Sequence, residues 1–220
     1  MKVKGLLMAS LAVAALMAVF AYYSAAQVPP ATQLPVHWNA AGEVNGTLPA
    51  LKALLFPVWA VLGATLFFAL IPRIEPLQDR LEGSAVVLRT TWIGLLFIMG
   101  MIQVAVAAPV FGLKLPVVLP LLGVGLFFIL IGNVLPKSRP GFFVGIRTPW
   151  AILDTDNWIA THRLGGKLMM LAGLIIALSA LFPIGRNLRV IAMGSSVAIA
   201  VIPPFVYSWW LWHRKMKASA

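Results

Sequence analysis

Six apolar stretches, each about as long as a helix that crosses a lipid bilayer, constrain this chain more than any other feature. A spanning helix takes about 20 mostly apolar residues. Gly5 to Ala26, Ala50 to Ile71, Ala85 to Val110, Leu115 to Leu135, Lys167 to Phe182 with an extension upstream, and Arg189 to Trp212 meet that need, and no acidic residue interrupts any of them. Backbone groups in hydrocarbon have no water to bond, so these blocks are expected to be helices. Only 10% of the residues are charged, against about 25% in a soluble domain. The expected fold is therefore all-α and integral to the membrane, with six transmembrane helices.

Basic residues orient such a bundle, because cytoplasmic loops carry the excess of Lys and Arg. With the N-terminus inside, Lys2, Lys4, Arg73, Arg80, Arg89, Lys137, Arg139, Arg147, Arg163, Lys167, Arg214, Lys215 and Lys217 fall on the cytoplasmic side. Lys52, Lys114, Arg186 and Arg189 fall outside. Both termini are thus expected in the cytoplasm. The same bias accounts for the net charge of +11, so the charge does not argue for direct nucleic-acid binding. A signal-peptide reading of the first block competes, because Ser24-Ala25-Ala26 resembles a cleavage site. The apolar run exceeds the usual core of about 7–15 residues, which favours a retained helix. Near the C-terminus, Tyr207, Trp209, Trp210 and Trp212, followed by His213-Arg214-Lys215, form an aromatic and basic collar suited to the membrane interface.

Two loops depart from this generic pattern. The outside loop, 27–47, contains Pro35-Val36-His37-Trp38-Asn39-Ala40-Ala41-Gly42-Glu43. Asn39 to Gly42 and Asn45-Gly46 are turn chemistry, and Thr47 with Pro49 is suited to cap the second helix. A compact, structured loop is expected. His37 alone is not a metal site, since zinc takes three or four protein ligands, and packing is the favoured role for His37-Trp38.

The cytoplasmic loop, 136–166, begins where Pro136 ends the fourth helix. Lys137, Arg139 and Arg147 place three cations near the phospholipid surface. Gly141 and Gly145 permit backbone geometry closed to other residues. Pro149 and Trp150 suit a turn and an interfacial anchor. Asp154 or Thr155 is placed to cap a new helix. On that helix Trp158 and His162 lie four apart and share a face, as do Arg163 and Lys167. An amphipathic hairpin that merely seats the protein in lipid would explain the cations and tryptophans. It would not explain the order Gly145-Ile146-Arg147-Thr148-Pro149-Trp150 or the triplet Thr161-His162-Arg163. Gly123, Gly125, Gly132, Gly165, Gly166 and Gly173 are read as close helix contacts.

These two loops carry a resemblance to known families. Pro35, His37, Trp38, Asn39 and Gly42 resemble the P-x-H-W-N-x-x-G signature of a small bacterial membrane domain of unknown function. The second motif comprises Asn133, Lys137, Arg139, Pro140, Gly145, Arg147, Thr148, Pro149, Trp150, Trp158, Thr161, His162 and Arg163. It resembles the SdpI-like immunity family of bacterial membrane proteins. Gly141 departs from the family pattern, in which Asn commonly follows Arg-Pro. The resemblance implies an N-terminal membrane domain over 1–84 (helices 1–2) and an SdpI-like domain over 85–220 (helices 3–6). It also implies a bacterial cytoplasmic-membrane protein that guards its cell against a secreted toxic peptide and recruits a cytoplasmic transcriptional regulator.

Other classes fit the residues less well. Coupled transporters place ionisable groups within the membrane, whereas all six acids, Glu43, Glu75, Asp79, Glu82, Asp154 and Asp156, are expected in loops. Gln103 and Asn133 are the polar residues expected at buried depth, and helix packing explains both. An enzyme would need a paired nucleophile and base, and the spacing of His162, Asp154, Asp156 and Arg147 indicates none. No catalytic residue, cofactor or metal is expected, and cysteine is absent. A small transporter or channel, or a structural membrane protein, is the alternative to immunity.

Overall fold

The apolar blocks fold as helices. A computed structural model describes residues 3–39, 42–113 and 118–219; Lys2, Ala40, Ala41, Lys114 and Leu115 lie outside the described residues. The chain runs α1 (Lys4–Ala25), β1 (Gln33–Trp38), β2 (Val44–Pro49), α2 (Ala50–Ile74), α3 (Gln78–Leu81), α4 (Ala85–Ala107), α5 (Val118–Val134), α6 (Pro149–Leu153), α7 (Thr155–Leu181) and α8 (Arg186–Ser219). Short 3-10 turns extend the ends of α4 and α5 at Ala108–Phe111 and Leu135–Lys137. The six long helices α1, α2, α4, α5, α7 and α8 are each long and apolar enough to cross a membrane.

Contacts between the helices fix their directions. Gln103, near the end of α4, donates its side-chain amide to the carbonyls of Met17 on α1 (2.9 Å) and Leu54 on α2 (3.1 Å). One buried amide thus ties the end of α1, the start of α2 and the end of α4, as its expected packing role requires. Trp92, near the start of α4, stacks on Phe68, near the end of α2, with ring centroids 5.5 Å apart. The bundle therefore has two distinct ends. One carries β1 and β2. The other, the basic end, carries α3, α6 and the segment 135–148.

Lipid tails are as apolar as leucine, so helices in a bilayer associate through close packing more than through hydrophobic exclusion. The α5–α7 seam shows this directly. A Cβ built on Gly125 would lie 2.8 Å from the Gly173 carbonyl oxygen, and one on Gly132 would lie 2.6 Å from that of Gly166. The two glycine pairs, seven residues apart on each helix, bring antiparallel backbones into direct contact. Asn133, beside this seam, is exposed on α5 and not buried as its sequence context suggests. It lies one residue off the inward-facing Gly132, so its amide turns away from the packed seam.

β1 and β2 pair antiparallel, with Gln33 opposite Pro49 and Trp38 opposite Val44. Buried Leu34 packs the sheet onto Ala50, Ala53, Leu54 and Val106 of the bundle. Two expectations fail here. Thr47 lies inside β2, opposite Pro35, and α2 begins after Pro49 with no side-chain cap. Asn45-Gly46 is not the turn. It sits in β2 where the register slips twice, with Val36 extra on β1 and Asn45 extra on β2, so that the two irregularities cancel.

Candidate functional site

The two sequence motifs occupy opposite ends of the bundle and are built differently. At the strand end, Asn39 and Gly42 close the turn. The Asn39 side-chain oxygen accepts from the Glu43 backbone N–H (3.0 Å), and its amide donates to the Glu43 carboxylate (2.8 Å). Gly42 has φ +86°, a conformation that glycine adopts without Cβ strain. His37 Nδ1 meets the Asn45 side-chain oxygen at 2.5 Å, and both residues are exposed. Trp38 packs on the cluster around Leu34. Beneath the sheet an open cavity of about 380 Å³ is lined by Pro35, Trp38, Val44, Pro109 and Leu113 among others. Glu43 also pairs with Arg186 across the end of α8, at 3.4 Å between exposed groups.

At the basic end the motif residues turn inward. Trp158 and His162 are fully buried and stack with centroids 4.0 Å apart. The Ile146 backbone N–H donates to His162 Nε2 at 2.7 Å, so that nitrogen carries no proton. The proton is on Nδ1, which donates to the Trp158 carbonyl at 2.8 Å. The ring is held neutral, with both nitrogens satisfied. Trp158 Nε1 donates to Ser138 Oγ (3.2 Å), which donates to the Leu135 carbonyl (2.9 Å). Gly145 closes this clamp at φ +111°. A Cβ there would strike His162 Nε2 and lie 2.7 Å from Trp158 Cζ2. Gly141, by contrast, does not have a positive φ. Its Cβ would sit 3.4 Å from Glu75 Oε2, so this position does not use the freedom that glycine permits.

A second buried network sits beside the first. Asn157 Oδ1 accepts from Thr161 Oγ1 (3.0 Å) and from Ser208 Oγ of α8 (2.8 Å). Its amide donates to the Ser208 carbonyl (2.8 Å). Because the Ser208 hydroxyl proton is already used, Thr148 Oγ1 must donate to Ser208 Oγ at 2.6 Å. Thr148 also caps α6 by accepting from the Ala151 N–H. The side chains of Thr148, Asn157, Thr161 and Ser208 are thus all hydrogen-bonded, linking α6 through α8 to α7. An unmade bond in such a buried site costs about 1–3 kcal/mol, which explains the placement of Thr148 and Thr161 within the motif.

The remaining motif residues divide by exposure. Pro149 occupies the first turn of α6, and Trp150 packs its ring on Phe205 and Trp212 of α8, at 5.5 and 6.0 Å. Pro140 is buried. Lys137, Arg139, Arg147 and Arg163 are exposed. The Arg147 guanidinium donates to the Phe142 carbonyl (3.1 Å), and the Arg139 backbone exchanges bonds with the buried Ser84 hydroxyl at the start of α4. Asp154 caps α7 by accepting from Asp156 and Asn157 N–H, and receives Lys215 Nζ at 2.9 Å. That hydrogen bond, helped by the backbone donors, holds the Asp154 carboxyl below its ordinary range despite some burial.

Glu75 was not legible as a site residue. All six acids are expected in loops, and Glu75 does follow the last residue of α2 in extended backbone, but it is buried, only 3% exposed. Its carboxylate accepts from the backbone N–H groups of Leu77, Phe142 and Phe143, each at 3.1 Å. It fastens the 141–143 turn to α2. Ser84, Ser138, Asn157 and Ser208 were likewise missed. Asn157 had a signal, being four residues before Thr161 on one helix face. Glu75 and Ser208 had none, because their partners are backbone groups or residues far along the chain. Among the described residues no group of three or more His, Asp or Glu side chains is placed to hold a metal ion.

Residues 137–208 match the model of the SdpI/YfhL protein family. Over 61 residues the chain is 36% identical to the "Immunity protein SdpI" of Bacillus subtilis (strain 168), a stretch that is 28% of this chain and 30% of that protein. The similarity thus spans under a third of that relative, and the strand-end motif lies outside the family match. No solved structure matches the chain.

Proposed function

We propose that this multi-pass bacterial membrane protein, whose residues 137–208 match the SdpI/YfhL family model, is an immunity protein that guards its cell against a secreted antimicrobial peptide. One observation carries the reading. The matched segment includes the Trp158–His162 stack and the Asn157–Ser208 network. The similarity therefore falls on the specific polar architecture as well as on apolar helices, which any membrane protein would share.

The positive-inside rule puts the basic end in the cytoplasm, so an external peptide meets the opposite end. There the exposed His37 and Asn45, with the cavity under the sheet, form the surface available to it. On the cytoplasmic side, exposed Lys137, Arg139 and Arg147 form the surface offered to a regulator, while His162 holds the loop that presents them. Expression in peptide-sensitive cells tests the first role. Survival should rise on exposure to a membrane-active secreted peptide, and unchanged survival across a panel of such peptides overturns the immunity reading. For recruitment, Lys137→Gln with Arg147→Gln should abolish capture of a co-expressed regulator while the membrane level of the protein stays constant. Undiminished capture would remove these cations from the partner surface.

A further inference from the structure

Between α7 and α8, at the basic end, lies a groove of about 440 Å³ lined by Ala160, Arg163, Leu164, Lys167 and Tyr207. Arg163 and Lys167 are both exposed, and neither makes a hydrogen bond or ion pair among the described residues. Of the acids near the start of α7, Asp154 is taken by Lys215, and Asp156 lies about two turns before Arg163. Like charges four apart on a helix repel. An anion between them would relieve that repulsion.

The groove's depth identifies the anion's source. Tyr207 stacks on Trp210 at 5.9 Å, and Arg214 lies 5.5 Å over the Trp210 ring. Together with Trp209 and Trp212 these residues make the aromatic collar, and such belts sit at the lipid headgroups. Along α7 from Lys167, the exposed face continues as Leu171, Leu174 and Leu178, at helical spacings of four, three and four residues. Two cations thus stand above an apolar track, which is the polarity of a phospholipid. We propose that this groove seats one anionic phospholipid. Its phosphate lies between the Arg163 guanidinium and the Lys167 ammonium, with the Tyr207 hydroxyl as a further donor and an acyl chain along the leucine track.

The test uses the full chain in phosphatidylcholine nanodiscs doped with phosphatidylglycerol, followed by detergent extraction and mass analysis of the retained lipid. The wild type should retain phosphatidylglycerol over phosphatidylcholine. Arg163→Gln with Lys167→Gln should lower that preference by about fivefold for each cation removed. The charge-preserving pair Arg163→Lys with Lys167→Arg should keep it. Arg73→Gln with Arg80→Gln removes the same charge elsewhere on the basic end and should leave the preference unchanged. Equal retention of both lipids by the wild type overturns the proposal, as does an equal loss in the Arg73/Arg80 variant, which would indicate diffuse surface attraction. Soluble glycerol phosphate should not compete with the lipid; full competition would mean that the groove binds free phosphate.

Discussion

The two sequence motifs each hold a Trp–His pair, and the two pairs have opposite fates. His37 and Trp38 are neighbours in β1, so they point to opposite faces of the strand. Trp38 packs on the bundle while His37 is exposed and, among the described residues, bonds Asn45 alone. Trp158 and His162 are one helical turn apart, so they stack and are buried together. In the first pair water can replace a lost partner. In the second it cannot, and each ring nitrogen has a dedicated partner. The same two residue types therefore make an adaptable surface at one end and a rigid clamp at the other.

The sharpest way to break this contrast is Gly145→Ala. The new methyl would enter the space of His162 at a backbone angle unfavourable for alanine. A loss of roughly 3 kcal/mol is expected from strain and overpacking, read as a fall in thermal midpoint in detergent. An unchanged midpoint would mean that the clamp is loose. Next comes Asn157→Ala, which removes the acceptor of two buried hydroxyls and the donor to the Ser208 carbonyl. About 2 kcal/mol should be lost, and recovery in a double variant with Ser208→Ala would localise the loss to this network.

At the strand end the effects should be smaller. Asn39→Ala opens the turn but leaves its groups access to water, so the loss should be about 1 kcal/mol or less. A loss matching that of Asn157→Ala would erase the distinction between the two ends. The smallest effect concerns pH. The folded-state pKa of Asp154 is lowered below its ordinary 3.8, so its contribution is complete above that value and disappears as pH falls through the lowered one. Lys215 is largely exposed, so solvent screening keeps the contribution of the pair small. The midpoint difference between wild type and Asp154→Asn should shrink towards zero in acid. A difference that grows in acid would reverse the sign of this linkage.

Periodicity and local chemistry made much of this legible. The six spans follow from apolar length, the Trp158–His162 face from a spacing of four, and the Asp154 cap from its place just before α7. The two strands were harder to see. Pro35 and Pro49 argue against strands, and the bulge at Asn45 breaks the alternation. Even so, the Asn39 to Gly42 turn between two segments of six residues was a hairpin signal. The polar networks were legible only on one side. Thr161 and Asn157 share a helix face, but Ser208 lies 51 residues beyond Asn157 and reaches it only because α8 folds back along α7. Glu75 was hidden more deeply, since no pattern of side chains reveals a carboxylate whose partners are peptide groups.

The same carboxylate has a mechanical consequence. α2 is one continuous helix of 25 residues, about 37 Å long at 1.5 Å per residue. It follows β2 directly at one end and is latched through Glu75 to the 141–143 turn at the other. A displacement along its axis by a single residue's rise would stretch the 3.1 Å carboxylate contacts beyond hydrogen-bond length. As long as α2 moves as a rigid rod, the sheet cannot be pulled outward with the latch intact. The 141–143 turn would register such a displacement within about 1.5 Å of travel.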